Sequence, residues 1–265
     1  MSPSWRDRVS IFFGPGHVHL ARYGRGWKRQ PGMGLSVACG DATAGAWPPA
    51  LETLRRALAN LHWQGADARV TVSNHFVRYA LVPAAGRLRG DGERVAAARH
   101  ALRATYGERA ELWRVVLGDG GGGDAVAAGM EPELVDGIAT ALAAANLRAL
   151  AIEPFLATAF NLCRGAIGRV PAWLAAAEPG RVCVAFVDGR GWRRLHTERL
   201  RAGLEDELAL VLERSRLAGG IDAGAGRVLL VSREAPHGEF AAPSGWSIER
   251  VGLDDAGLMP LAAEH

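Results

Sequence analysis

Few residues have types and spacings that could do chemistry, and most of them sit at turns. Gly14, Pro15 and Gly16 close a hairpin in "VSIFFGPGHVHLARYG", residues 9–24, and Asp188 and Gly189 close another in "VDGRG". Glycine turns of this kind can cradle a phosphate with backbone amides, because no Cβ keeps the anion away. A turn serving a metal-bound nucleotide also wants a carboxylate just before it, and that place holds Phe12 and Phe13. Pro15 further removes one donor. His17 and His19 alternate, so both side chains share one strand face and could share a metal. No third ligand is spaced near them, a polar strand face is the plainer account, and no metal is expected.

Other candidates reduce to structure. "GDGGGG", residues 118–123, matches G-x-G-x-x-G after a strand. A dinucleotide site would open a helix within that loop. "DAVAAGM" reads as another strand instead, so a hairpin loop is expected. Ser73, Asn74 and His75 lack the G-x-S-x-G elbow of a hydrolase and fit a turn. Glu205, Asp206 and Glu207, like Asp254 and Asp255, sit where helix starts favour negative charge. Lys28 is the sole lysine and stands in "GWKRQPG", so there is no Walker-type loop. No residue is expected to be catalytic.

These residues must be positioned by a chain of 265 residues with 49% hydrophobic and 22% charged side chains, a globular composition with room for two lobes. The net charge of +3 is mild. Arg6, Arg8, Arg22, Arg25, Lys28 and Arg29 nevertheless crowd the start against Asp7 alone. A solvated hairpin face explains them, and a polyanion or acidic lipid surface is the alternative. Trp27 beside Arg25, Lys28 and Arg29 makes a candidate partner-contact patch. The other seven tryptophans, several at element edges, default to core packing. Cys39, Cys163 and Cys183 are odd in number and far apart, which suits a reducing compartment. The amino terminus lacks an apolar signal region and no run reaches membrane-spanning length, so a cytoplasmic protein is expected.

The elements alternate. Strands are predicted at residues 8–13, 17–23 and 35–39, then a helix carrying Leu51, Leu54, Leu58 and Leu61, then strands at 69–73 and 76–82. A helix over 91–106 presents Val95, Ala98, Leu102 and Tyr106, and Gly107 ends it. "ELWRVVLGD" and "DAVAAGM" read as strands, "EPELVDGIATALAAANL" as a helix and "RALAIEP" as a strand. The second half runs helix from Pro154, strands "AWLAAAE", "RVCVAFV" and "WRRLHTERL", a helix over 204–217, then "GRVLLVS" and "WSIERVG". Each half therefore contains three strands, a helix and a strand, which predicts a duplicated architecture.

This order, with "VTVSNHFVRYALVP", "ARHALRATYG", "ELWRVVL", "EPFLATAFNLCR" and "GRGWRRL", resembles the actin-like ATPase fold. Within it the chain is similar to the pilus and type II secretion assembly proteins PilM and cytoplasmic GspL. The resemblance implies an α/β, duplicated actin-like (ribonuclease H-like) fold of two lobes, 1–152 and 153–265, with a small subdomain inserted at about 74–130 of the first. It implies a degenerate nucleotide site at Gly14, Gly16, Asp188 and Gly189. The aligned metal-orienting acid is Phe12, Asp188 and Gly189 are adjacent where an Asp-x-Gly is wanted, and the adenosine step offers Ser232 and Arg233 for a glycine pair. Hydrolysis is expected to be absent, with no cofactor beyond weak residual binding of ATP and magnesium.

The implied function is a scaffold that docks the cytoplasmic tail of an inner-membrane assembly protein, or an assembly ATPase. It would bind no nucleic acid and meet the membrane only peripherally, through its partner. Two other classes stay open: an active ATP-dependent enzyme of the actin-like or sugar kinase fold using Asp188, and a basic nucleic-acid-binding module.

Overall fold

The structure is a computed structural model that describes residues 6–24, 31–40, 46–118, 123–167, 170–188, 191–221, 226–233 and 245–253. In chain order its elements are β1 (Arg8–Phe13), β2 (His17–Tyr23), β3 (Pro31–Ala38), α1 (Pro48–Leu58), β4 (Asp67–Val72), β5 (Arg78–Val82), α2 (Asp91–Tyr106), β6 (Arg114–Leu117), β7 (Ala125–Met130), α3 (Pro132–Ala144), β8 (Arg148–Pro154), α4 (Phe155–Ile167), β9 (Ala172–Glu178), β10 (Arg181–Asp188), β11 (Gly191–Arg199), α5 (Leu204–Ala218), β12 (Arg227–Ser232) and β13 (Ser247–Arg250). They form two compact units: 1–77, 130–155 and 253–265 in the first, 78–129 and 156–252 in the second. The segment read as an insertion in the first lobe, about 74–130, thus falls almost wholly in the second unit, and the chain leaves the first unit after Phe155.

The first unit is built on a five-stranded sheet of order β3-β2-β1-β4-β8. β1, β2 and β3 form an antiparallel meander, and β4 and β8 add parallel to β1 in turn. Central β1 and β4 are buried on both faces, β1 through Val9, Ile11, Phe12 and Phe13 and β4 through Ala68, Val70 and Val72. β3 is the open edge: its described side chains are exposed or half-exposed, and none is charged. Across β4 and β8, Asp67 accepts two hydrogen bonds of 2.8 Å from Arg148, and Arg69 pairs with Glu153 at 2.9 Å. Pro at the first helical turn starts α1 and α3, where a missing N–H costs nothing. Leu51, Leu54 and Leu58 of α1 are buried as their spacing predicts, whereas Leu61 is 74% exposed. The reason is local. The helix ends at Leu58, and Asn60 caps a separate 3-10 turn through its side chain, so Leu61 leaves the helical phase.

The second unit repeats the plan. Its main sheet has the order β11-β10-β9-β12-β13, with an antiparallel β9-β10-β11 meander and β12 and β13 parallel to β9 in turn. Trp173, Val182, Val184, Val228 and Leu230 pack there against Leu204, Leu208, Val211 and Leu212 of α5. A smaller sheet, β5-β7-β6, packs on α2 through Ala80, Val82, Ala98, Leu102, Ala125 and Ala127. Val95 and Tyr106 of α2, expected on that apolar face, lie at its rim, and the Tyr106 hydroxyl donates to the Tyr79 carbonyl at 3.1 Å. "ELWRVVLGD" is only partly a strand. Gly107, at φ +75°, ends α2, and residues Glu108–Leu112 turn as a 3-10 helix that buries Ala110 before β6 begins. Elsewhere the predicted strands keep their place with shifted ends: β3 spans Pro31–Ala38 and β5 starts at Arg78.

Candidate functional site

The first turn is filled from below. Phe12 and Phe13 end β1, and strand alternation sends their rings to opposite faces of the sheet. Phe13 meets Phe76 at 5.6 Å between ring centroids. Phe12 lies edge-on to Phe155 at 5.8 Å and tilted against His19 at 6.3 Å, and only 6% of it is exposed. A β-carbon added at Gly14 would stand 2.7 Å from Phe12 Cε1, so the ring lies directly against the turn.

The amides of this turn are largely committed. Gly14 N–H donates to the His17 carbonyl at 3.2 Å, and Pro15 has none to give. Gly16 keeps its amide, while its carbonyl accepts from Cys39 N–H at 2.8 Å. A turn that cradles phosphate needs several converging N–H groups and a carboxylate to order the metal and its waters. This one offers a single amide above a phenyl ring. These residues do not fit a metal-bound nucleotide.

In the second unit, Asp188 ends β10 and pairs across the turn with Gly191. Its Oδ2 stands 3.5 Å from Arg193 Nε, and Arg193 Nη1 is 3.8 Å from Asp124. Asp124 is itself held, accepting from Ala84 N–H at 2.8 Å, and its carbonyl accepts from Trp192 N–H at 3.3 Å. A guanidinium beside Asp188 already answers the charge a divalent cation would need. Gly189 lies outside the described residues. At the adenosine step, Arg233 N–H donates to the Ala177 carbonyl at 3.0 Å, extending the β12–β9 pairing past Ser232.

Arg25, Trp27, Lys28 and Arg29 also lie outside the described residues, as do Trp5, Asp254, Asp255 and the loop 119–122. The two histidines behave as a strand face: their rings stack at 5.7 Å, and no cluster of three metal-ligating side chains occurs among the described residues. Ser73, Asn74 and His75 form the expected turn, with Ser73 Oγ accepting from His75 N–H at 3.1 Å. The three cysteines are free. Burial pushes the thiols of Cys163 and Cys183 up to about 12. Trp63, Trp173 and Trp192 are core residues, Trp192 lying tilted against Phe160 at 4.7 Å between ring centroids.

One concentration of charge escaped the sequence reading. Between edge strand β11 and α5 runs a groove of about 420 Å³ lined by Arg194, His196, Arg199, Arg214 and Ser215, with Glu198 the only acid. No motif marks it, because its lining combines residues of one strand with residues of a distant helix. Near one end of α5, Glu207 Oε1 accepts from the N–H of Arg201, at 2.5 Å, and of Ala202. The Ala202 amide is the larger cause holding that carboxyl below its ordinary range.

Comparison with known proteins bears on the fold. No protein-family model matches the sequence, and no curated protein matches it. Solved structures do match. The cytoplasmic domain of EpsL, an inner membrane component of the type II secretion system of Vibrio cholerae, has a TM-score of 0.62 at 12% identity over 95% of this chain and 92% of that one. The PilM–PilN type IV pilus biogenesis complex gives 0.61 at 14% over 85% and 81%. A Bacteroides thetaiotaomicron protein with an actin-like ATPase fold and unknown function gives 0.60 at 9% over 86% and 82%. The chain has the actin-like fold, in agreement with its two sheets of one strand order.

Proposed function

We propose that this chain is a non-catalytic actin-like scaffold that docks a partner protein at an inner-membrane pilus or secretion assembly platform. The observation that carries this reading is the Phe12 ring packed under Gly14, where the fold's nucleotide hairpin would carry a carboxylate. Replacing that carboxylate with a buried phenyl ring removes the charge that would balance a divalent ion. Arg193 does the equivalent for Asp188 in the second unit. With both turns unsuited to metal and phosphate, the surface is left to do the work. The likeness to the EpsL cytoplasmic domain and to the PilM–PilN complex supports a place among envelope assembly proteins. The partner is then the cytoplasmic tail of a membrane component or an assembly ATPase, and the chain acts in the cytoplasm, held at the membrane through that partner. Among the described residues no helix is long and apolar enough to cross a membrane.

The test is affinity purification of the tagged chain, expressed in its host, from gently solubilised membranes. Recovery of a pilus or secretion component is expected. Recovery of none, together with micromolar binding of magnesium ATP that Asp188→Ala abolishes, would replace the scaffold with an enzyme.

A further inference from the structure

β3 carries a row of backbone groups turned away from its only sheet neighbour, β2. Cys39 N–H donates to the Gly16 carbonyl at 2.8 Å, and the β2–β3 register continues without a shift from His17 opposite Ala38 to Arg22 opposite Met33. Bonded and non-bonded pairs alternate along an antiparallel ladder. Val37, Leu35 and Met33 therefore turn their N–H and C=O groups to β2, while those of Ala38, Ser36 and Gly34 turn outward. No partner meets these outward groups among the described residues. The regular pattern stops at Gly32, which the register shift skips. On the face shared with buried Val18 and Leu20, Leu35 is 38% exposed between half-exposed Met33 and Val37, an apolar row that the fold leaves uncovered.

Sheet edges are ordinarily guarded by charge or by a covering element. β8, the other edge of the same sheet, carries Arg148 and Glu153, and β13 carries Glu249 and Arg250. β11 holds in the second sheet the place that β3 holds in the first. It carries Arg193, Arg194, Glu198 and Arg199, and β5 packs against it. β3 has neither guard. A two-fold axis sets each residue beside its own copy or a near neighbour, so a charged edge would repel itself and an uncharged one does not. Two β3 strands run antiparallel about an axis at Ser36 place Ser36 opposite Ser36 and Gly34 opposite Ala38, engaging every outward group in about six hydrogen bonds. In the non-bonded pairs between them, where side chains approach closest, Leu35 meets Val37 and the apolar row is covered. We infer that β3 pairs with the β3 of a second copy of this chain, joining two five-stranded sheets across a two-fold axis. This pairing is independent of the docking function proposed above.

Sedimentation velocity of the full chain tests it. At about 50 μM, a concentration suited to a small edge-to-edge interface, the parent should sediment as a dimer. Ser36→Pro removes an outward N–H without touching the bonds to β2, and Ser36→Glu sets two carboxylates across the axis. Each should weaken the dimer at least about tenfold at roughly 50 mM salt. Ser36→Lys should do the same alone, and an equal mixture of the Glu and Lys variants should regain the dimer. Leu150→Glu, on the opposite edge of the same sheet, should dimerise as the parent does, and circular dichroism melts of every variant check folding. A monomeric parent, or a dimer unmoved by Ser36→Pro and Ser36→Glu, would overturn the inference. A mixture of folded Glu and Lys variants that stays monomeric would overturn the two-fold register. If the parent is monomeric but Ser36→Pro loses a membrane component in co-purification, the edge takes a partner's strand and the second copy is the wrong occupant.

Discussion

Truncating Phe12 to alanine separates a ring that fills the turn for structural reasons from one that is incidental. The ring is almost wholly buried, lies edge-on to Phe155 at 5.8 Å, and underlies Gly14. Removing such a side chain from a packed core costs about 3–5 kcal/mol, part lost transfer energy and part residual cavity. At roughly 2–4 °C per kcal/mol for a body of this size, melting of the first unit should fall by roughly 6–20 °C, read by differential scanning calorimetry. The same instrument measures nucleotide. A ligand present at 100 times its Kd stabilises by about 2.7 kcal/mol, so 1 mM magnesium ATP bound with a Kd near 10 μM would raise the parent's Tm by roughly 5–11 °C. No shift is expected, and Phe12→Asp should lose stability without gaining one, since Pro15 and the Gly14 amide stay as they are. A loss below about 1 kcal/mol in Phe12→Ala, or a clear rise of the parent with magnesium ATP, would refute the account of this turn.

Other measurements probe the supporting structure. Arg148→Ala breaks the two 2.8 Å hydrogen bonds to buried Asp67 and should lower the midpoint of urea denaturation. Gly129→Ala would place its Cβ 2.8 Å from Cε3 of Trp113 and 3.2 Å from Leu102 Cδ1; this overpacking should cost about 1–3 kcal/mol although alanine suits a strand no worse than glycine. Glu207, held below its ordinary pKa chiefly by the Ala202 amide, contributes stability that is present above 4.5 and lost as pH falls through its lowered value. The stability gap between the parent and Glu207→Gln should therefore close on acidification below that point, followed by melts across pH. In native alkylation followed by mass spectrometry, half-buried Cys39 should react first, with Cys163 and Cys183 protected until unfolding, since burial holds their thiols protonated up to about 12.

What the sequence made legible follows from what each signal encodes. Period-two alternation and glycine turns marked β1, β2, β9, β10 and β11, and α2 was read over its full span, because these patterns are local. The strand count and duplication were visible for the same reason. Leu61 was misplaced because a helix end depends on cap geometry: Asn60 takes the backbone into a new turn that leucine spacing cannot reveal. The departures at Phe12 and Asp188 could be read from residue identity, but the Arg193 partner of Asp188 needed the hairpin's register. The β11–α5 groove was invisible, since Arg214 meets Glu198 only when α5 packs back on the sheet.

The interleaved path of the chain also bears on synthesis. β8, the last strand of the first sheet, ends at Pro154, more than eighty residues after β4 ends at Val72, and the intervening stretch includes β5, β6 and β7, which belong to the other compact unit. As the ribosome releases the polypeptide, the early meander must wait with one side of β4 bare until β8 emerges, and the small sheet must wait still longer for β9 to β12. Distant pairings of this kind form slowly and expose apolar surface meanwhile. A nascent chain of this design would therefore be a client for holding chaperones, and a fragment cut at a single point should not fold as either unit.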